Sequence, residues 1–133
     1  SACLLGLPCR YDGASKPAPQ VLALMEEHRL IPVCPEQMSG LPTPRPPAEC
    51  RGNCVLNREG RDVTAEYARG AQCALELARL YGCQGAILKE RSPSCGSGTI
   101  YDGTFTGTLA AGDGVTAELL KANGIKVIDE NAL

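Results

Sequence analysis

The sequence alternates short apolar runs with segments of helical periodicity, and this alternation is the strongest constraint on its fold. In the clearest helical segment, Val63 to Tyr81, apolar residues recur at intervals of three and four. Asp62 can cap the start of this helix and Gly82 can end it. The remaining segments are predicted as strands at 1–5, 30–33, 85–88 and 125–128, and as helices at 17–29 and 113–122. Alternating strands and helices predict one α/β domain over 1–133, with a mainly parallel sheet and flanking helices in a Rossmann-like, three-layer arrangement.

Two segments do not follow this alternation. The stretch 35–60 is rich in proline, which excludes a helix or a central strand over most of it. We expect an ordered excursion over the functional site, with Val55 and Leu56 in an edge strand. The stretch from Thr99 to Leu109 is rich in Gly and Thr and is expected to be a loop or an irregular hairpin.

Eight cysteines among 133 residues are unusual for a chain of this kind. The sequence has no long apolar segment and no signal-peptide pattern, so a reducing cytoplasm is the expected location. Clustered cysteines in that compartment usually indicate metal binding or catalysis. The charge is nearly balanced, with 13 basic and 15 acidic side chains, which argues against a large nucleic-acid surface or a membrane anchor.

Three cysteines lie at or near the ends of predicted strands. Cys3 lies in the first, Cys34 follows the second, and Cys95 lies in the loop Ser92-Pro-Ser-Cys95 after the third. The carboxyl ends of parallel strands meet at one edge of a sheet, where open α/β folds place their sites. Three converging thiolates suit a soft metal or an iron–sulfur cluster and leave one position open for a substrate. Because no Cys-x-x-Cys pair is present, a structural zinc ribbon is not expected.

Three sequence motifs add a family resemblance. SACLLGLPCRYDG at the start, PVCPEQMSGLPTPR in the middle and SPSCGSGTIYDG later resemble, in this order, the thiouracil desulfidases. The resemblance implies an α/β protein that holds a four-iron, four-sulfur [4Fe-4S] cluster on three cysteines. It also implies non-redox hydrolysis of a thiolated uracil, as base, nucleoside or nucleotide, to uracil and sulfide, with the sulfur taken up by the free iron.

Carried over to this chain, the resemblance implies Cys3, Cys34 and Cys95 as cluster ligands. Glu36 would act as acid or base, and Ser92 as a positioning or proton-transfer hydroxyl. A carboxylate two residues beyond a ligand is well placed to serve water attack on the ring carbon. The nearby Cys9 is an alternative third ligand in place of Cys3.

Other interpretations stay open at this point. The three thiolates could serve a non-catalytic cluster or metal carrier or sensor, which has no use for an acid or base beside the cluster. A thiol oxidoreductase could use Cys50 and Cys54, and would then show a reactive pair with a lowered pKa. Arg45 is expected to brace the proline-rich loop rather than bind a phosphate. The expected partner is a small thiolated pyrimidine, and the sequence leaves the oligomeric state open.

Overall fold

The longest helix is the one predicted from periodicity, and two other helices pack against it. The computed structural model describes all 133 residues. Its α-helices are Pro19–Leu22 (α1), Pro35–Met38 (α2), Thr64–Leu80 (α3) and Val115–Ala122 (α4). Its strands are Ala48–Arg51 (β1), Cys54–Asn57 (β2), Gly85–Leu88 (β3), Thr99–Tyr101 (β4), Leu109–Ala111 (β5) and Lys126–Asp129 (β6). Short 3₁₀ turns cover Ala2–Leu5, Ala23–Glu26 and Glu130–Ala132. None of the helices has the length and apolar character needed to cross a membrane.

The main core lies where α3 and α4 pack against the pair β3–β6. These two strands are parallel and pair along their full length, from Gly85 opposite Lys126 to Leu88 opposite Asp129. Leu75 of α3, Leu120 of α4 and Leu88 belong to one buried cluster, which also contains Cys95. The predicted strand at 85–88 and the predicted helices α3 and α4 are therefore confirmed. The periodicity of α3 reflects the face that this helix buries.

The α/β class is confirmed, but the assigned strands do not form one mainly parallel sheet. They form three two-stranded sheets, of which β3–β6 is parallel and β1–β2 and β4–β5 are antiparallel. The pair β1–β2 lies in the proline-rich segment 35–60, and β4–β5 begins in the segment 99–109 and ends two residues beyond it. The edge strand expected at Val55 and Leu56 is present in β2, and the irregular hairpin expected near Thr99 is β4–β5.

The predicted strands at 1–5 and 30–33 were wrong. The first is mostly a 3₁₀ turn, Ala2–Leu5, and the second lies in no assigned strand. Single backbone bonds replace a ladder: the Ser1 nitrogen donates to Ile87 O at 2.7 Å and the Ala2 nitrogen to Val33 O at 2.8 Å. Pro32 has no N–H to extend such pairing. Burial alone therefore explains the apolar character of the first run.

The predicted helix at 17–29 is shorter than expected. The chain forms one α-helical turn, α1, and then the 3₁₀ turn that ends at Glu26. Pro19 at its first position favours the start of a helix. Only Ala18 and Val21 of the segment 17–29 are buried, so little packing supports further turns.

Gly70 allows α3 to approach α2 closely, and this contact positions the site. A methyl group at Gly70 would overlap the backbone carbonyl of Pro35, the residue between Cys34 and Glu36. We therefore expect Gly70→Ala to lower the free energy of unfolding by about 1–3 kcal/mol, although alanine is normally the better helix former. Thermal unfolding checks this, with the exposed Gln72→Ala as a control on the same helix. An unchanged melting temperature would contradict the close approach.

Candidate active site

One cavity of about 560 Å³ brings together all the site residues predicted from the sequence. Its walls include the four thiols and two oxygen-bearing side chains at issue, namely Cys3, Cys9, Cys34, Cys95, Glu36 and Ser92. Cys3 comes from the first 3₁₀ turn, Cys34 is the residue that precedes α2, and Cys95 lies in the loop after β3. The convergence is thus as predicted, although a turn and a helix start, rather than two strand ends, place Cys3 and Cys34.

Three of the four thiols in this cavity are shielded from solvent. Cys3, Cys9 and Cys95 are buried, Cys34 is partly exposed, and all four are free. Burial raises the pKa of Cys3, and it raises the pKa of Cys95 to about 11. Burial, with the neighbouring Cys34 next in importance, raises the pKa of Cys9 to about 12. Because iron binds thiolates, loading this cavity with iron has to release protons.

The donor set fits an iron–sulfur cluster better than a single metal ion. No three His, Cys, Asp or Glu side chains lie close enough together to hold one ion. In a four-iron cluster each cysteine binds a different iron, so the thiols lie further apart than they would around a single ion. Soft thiolates without histidine are the ligands that such clusters use. Both Cys3 and Cys9 line the cavity, so lining alone does not distinguish the two as the third ligand.

Ser92 organises the loop that carries Cys95. Its Oγ accepts hydrogen bonds from the backbone nitrogens of Ser94 at 3.1 Å and Cys95 at 3.0 Å. Ser94 is fully buried and its hydroxyl shares a 2.8 Å hydrogen bond with Thr116 of α4. With two acceptor contacts already made, the Ser92 hydroxyl has its own proton left to donate. Ser92 is therefore suited to donate a hydrogen bond towards the cavity.

Glu36 lies in the first turn of α2 and is held through one carboxylate oxygen. Its Oε1 accepts from Arg45 Nε at 3.0 Å and from the Tyr67 hydroxyl at 2.6 Å. Arg45 is 8% exposed and also donates to the carbonyls of Cys9 and Pro42. Arg45 therefore braces the loop, as predicted, and in addition forms an ion pair with Glu36.

Tyr67 is the site residue that sequence reasoning missed. It lies on α3, where it is one of the residues that recur at helical spacing between Val63 and Tyr81. It is 3% exposed and belongs to a buried cluster with Val55 and Val63. The available signal was its hydroxyl, because a buried tyrosine usually has a hydrogen-bond partner. Which partner it has depends on the contact between α2 and α3, which is not encoded locally.

The structure argues against a redox pair of Cys50 and Cys54. In the β1–β2 hairpin Cys50 is opposite Val55 and Cys54 is opposite Arg51, so the two cysteines project from opposite faces. A disulfide requires side chains that point towards each other. Burial also raises the pKa of Cys50 to about 11, whereas the oxidoreductase hypothesis expects a lowered pKa. The Cys50 thiol instead donates to Pro93 O at 3.4 Å, in the loop that carries Ser92.

Comparisons with known proteins agree with the motifs. A family model described as 2-thiouracil desulfurase matches residues 1–132. The uncharacterized protein YbbK of Bacillus subtilis (strain 168) is 43% identical over 143 residues, which cover 100% of this chain and 95% of that protein. The solved structure of a [4Fe-4S]-dependent thiouracil desulfidase, TudS, superposes with a TM-score of 0.94 at 53% identity. That match covers 100% of this chain and 89% of the TudS chain.

Proposed function

Because the chain belongs to the 2-thiouracil desulfurase family, we propose that it removes the sulfur of thiouracil with a [4Fe-4S] cluster, giving uracil and sulfide. It is an enzyme that cleaves a C–S bond, as the family match and the likeness to TudS support. One structural observation carries the proposal to this chain's own residues: three motifs distant in sequence place their cysteines, Glu36 and Ser92 on one cavity.

We assign Cys3, Cys34 and Cys95 as the cluster ligands. The assignment rests on the resemblance of SACLLG, PVCPE and SPSCG to the family, on the burial of Cys3 and Cys95, and on the place of all three thiols in the cavity wall. Three thiolates leave one iron free of protein, and when bound the cluster supplies a Lewis-acidic iron that polarises the thiocarbonyl group. A cavity of about 560 Å³ is within the range of pockets that bind small molecules.

Glu36 serves as the acid or base of the reaction in this proposal. In the overall reaction water replaces sulfur, so that C=S and H₂O become C=O and H₂S and no electrons are exchanged. The attacking water has to lose protons and the departing sulfur has to gain them, and we assign this proton transfer to Glu36 because it lines the cavity and follows Cys34 by two residues. Ser92 donates a hydrogen bond that orients the pyrimidine ring, since its oxygen is already an acceptor for two backbone groups.

Finer features of the fold and substrate belong to the same proposal. Backbone hydrogen bonds join four neighbouring segments in the order Val33, Ala2, Ile87 and Val127. This order supports a Rossmann-like arrangement. The family match over 1–132 supports a single desulfidase domain over 1–133. The substrate is a thiolated pyrimidine, as base, nucleoside or nucleotide, and the cytoplasm remains the expected location.

The direct test is to reconstitute the protein with iron and sulfide under anaerobic conditions and then add thiouracil. We expect about four irons and four acid-labile sulfides per chain. The visible spectrum should change on addition of thiouracil, and uracil and sulfide should appear in equal amounts. Iron without any response to thiolated pyrimidines would favour the carrier or sensor, and a protein that takes up no iron would overturn the cluster assignment.

A further inference from the structure

We propose that Tyr67 is a positioning residue of this reaction, whose hydroxyl, together with Arg45, fixes one oxygen of Glu36 so that the other oxygen serves the reacting atoms. The inference rests on the proposed role of Glu36. It adds to the site a residue from α3, a helix that is distant from Glu36 in sequence but packs against α2. Tyr67 lies outside the three family motifs, and its place among the regularly spaced apolar residues of α3 gave no sign of a role in the site.

The two oxygens of Glu36 have different surroundings. Oε1 receives both hydrogen bonds, from Tyr67 at 2.6 Å and from Arg45 at 3.0 Å. Oε2 accepts no hydrogen bond from the protein, and it retains contact with solvent. The Glu36 side chain is 15% exposed and its residue lines the cavity. One oxygen is thus an anchor, and the other is free to exchange a proton or to hold a water molecule.

The Tyr67 hydroxyl has a fixed position and a fixed role as donor. Its ring is buried with Ala48, Val55 and Val63, so the hydroxyl cannot move far from Glu36. Burial, with the negative charge of Glu36 next in importance, raises the pKa of Tyr67, which keeps the phenol protonated. A phenol that donates to a carboxylate at this short distance makes a charge-assisted hydrogen bond.

Tyr67 differs from Arg45 because its hydroxyl makes no hydrogen bond other than the one to Glu36. Arg45 also donates to Thr43 and to the carbonyls of Pro42 and Cys9, so its removal would disturb the whole proline-rich loop. The Tyr67 hydroxyl makes a single hydrogen bond, the one to Glu36. Tyr67→Phe therefore removes that hydrogen bond alone and leaves the packed ring in place.

The test measures kcat and KM for thiouracil in cluster-loaded enzyme carrying Tyr67→Phe, Glu36→Gln or both. Losing a hydrogen bond to a charged group predicts a fall in kcat of roughly ten- to a hundredfold, with KM within about twofold. If Tyr67 acts through Glu36, Tyr67→Phe should lower kcat by less than about twofold in the Glu36→Gln background. Iron per chain and the melting curve should stay those of a folded, loaded protein, and kcat is expressed per loaded chain.

Tyr81→Phe is the matched control, because it removes the same hydroxyl from an exposed position that follows α3. It should leave kcat unchanged. Two independent single effects that multiply in the double variant, or an unchanged kcat in Tyr67→Phe, would overturn the positioning role. A wild-type enzyme that releases no sulfide would instead overturn the proposed function, so the two failures are distinguishable.

Discussion

Replacing Cys95 by serine is expected to abolish cluster binding and to reduce desulfuration to background. A serine hydroxyl is a harder ligand than a thiol and is far more difficult to deprotonate, so it replaces a thiolate poorly. Cys95 is 6% exposed and packs in the main core. Because serine is similar in volume to cysteine, the loop should keep its shape. Iron and acid-labile sulfide per chain after anaerobic reconstitution measure the result. Cys34→Ser should behave in the same way.

The same measurement decides between Cys3 and Cys9. Both thiols are buried on the cavity wall, and Cys9 lies so close to Cys34 that Cys34 helps to raise its pKa. If Cys3 is the third ligand, Cys3→Ser should lose the cluster and Cys9→Ser should keep it. The reverse result would assign Cys9 as the ligand.

Cys83→Ser is the control for this series. Cys83 is a free cysteine that does not line the cavity, so its replacement should leave the iron content unchanged. A Cys95→Ser protein that still holds about four irons would contradict the ligand assignment.

Local pattern was sufficient to predict the elements that pack against the main core. Helix α3 was predicted because it buries one side, which produces helical periodicity, and strand β3 was predicted from a short apolar run that ends at the buried Leu88. The runs at 1–5 and 30–33 are also apolar, but the first donates only single backbone hydrogen bonds to Ile87 and to Val33 of the second, and no ladder forms. An apolar run does not specify its hydrogen-bond partners, so these two predictions failed.

The candidate site residues could be chosen from the sequence because they belong to recognisable motifs. The motifs supplied Cys3, Cys34, Cys95, Glu36 and Ser92, and the structure places all five on one cavity. Tyr67 could not be predicted in this way, because its hydrogen bond to Glu36 depends on how closely α2 approaches α3. That distance is set by the absence of a side chain at Gly70, a tertiary effect with no local sign.

Replacing Glu36 by glutamine is expected to lower the rate of desulfuration by roughly 10²- to 10⁴-fold, the usual contribution of general acid–base catalysis. Glutamine has nearly the same shape, and its amide oxygen can still accept from Arg45 and Tyr67. The fold and the cluster should therefore be retained. The measurement is sulfide release per loaded chain, with the exposed Glu76→Gln of α3 as a control that should keep full activity.

Glu36→Ala separates this catalytic effect from a structural one. Without an acceptor, the Tyr67 hydroxyl and the Arg45 side chain, which is 8% exposed, each lose a hydrogen bond. Leaving such groups unpaired costs about 1–3 kcal/mol each, so this variant should also unfold at a lower temperature. Glutamine should remove turnover without that loss of stability, because it removes the proton-carrying group and keeps the acceptor. If Glu36→Gln retains full activity with a full cluster, Glu36 is only a structural partner of Arg45 and the protons of the reaction must move elsewhere.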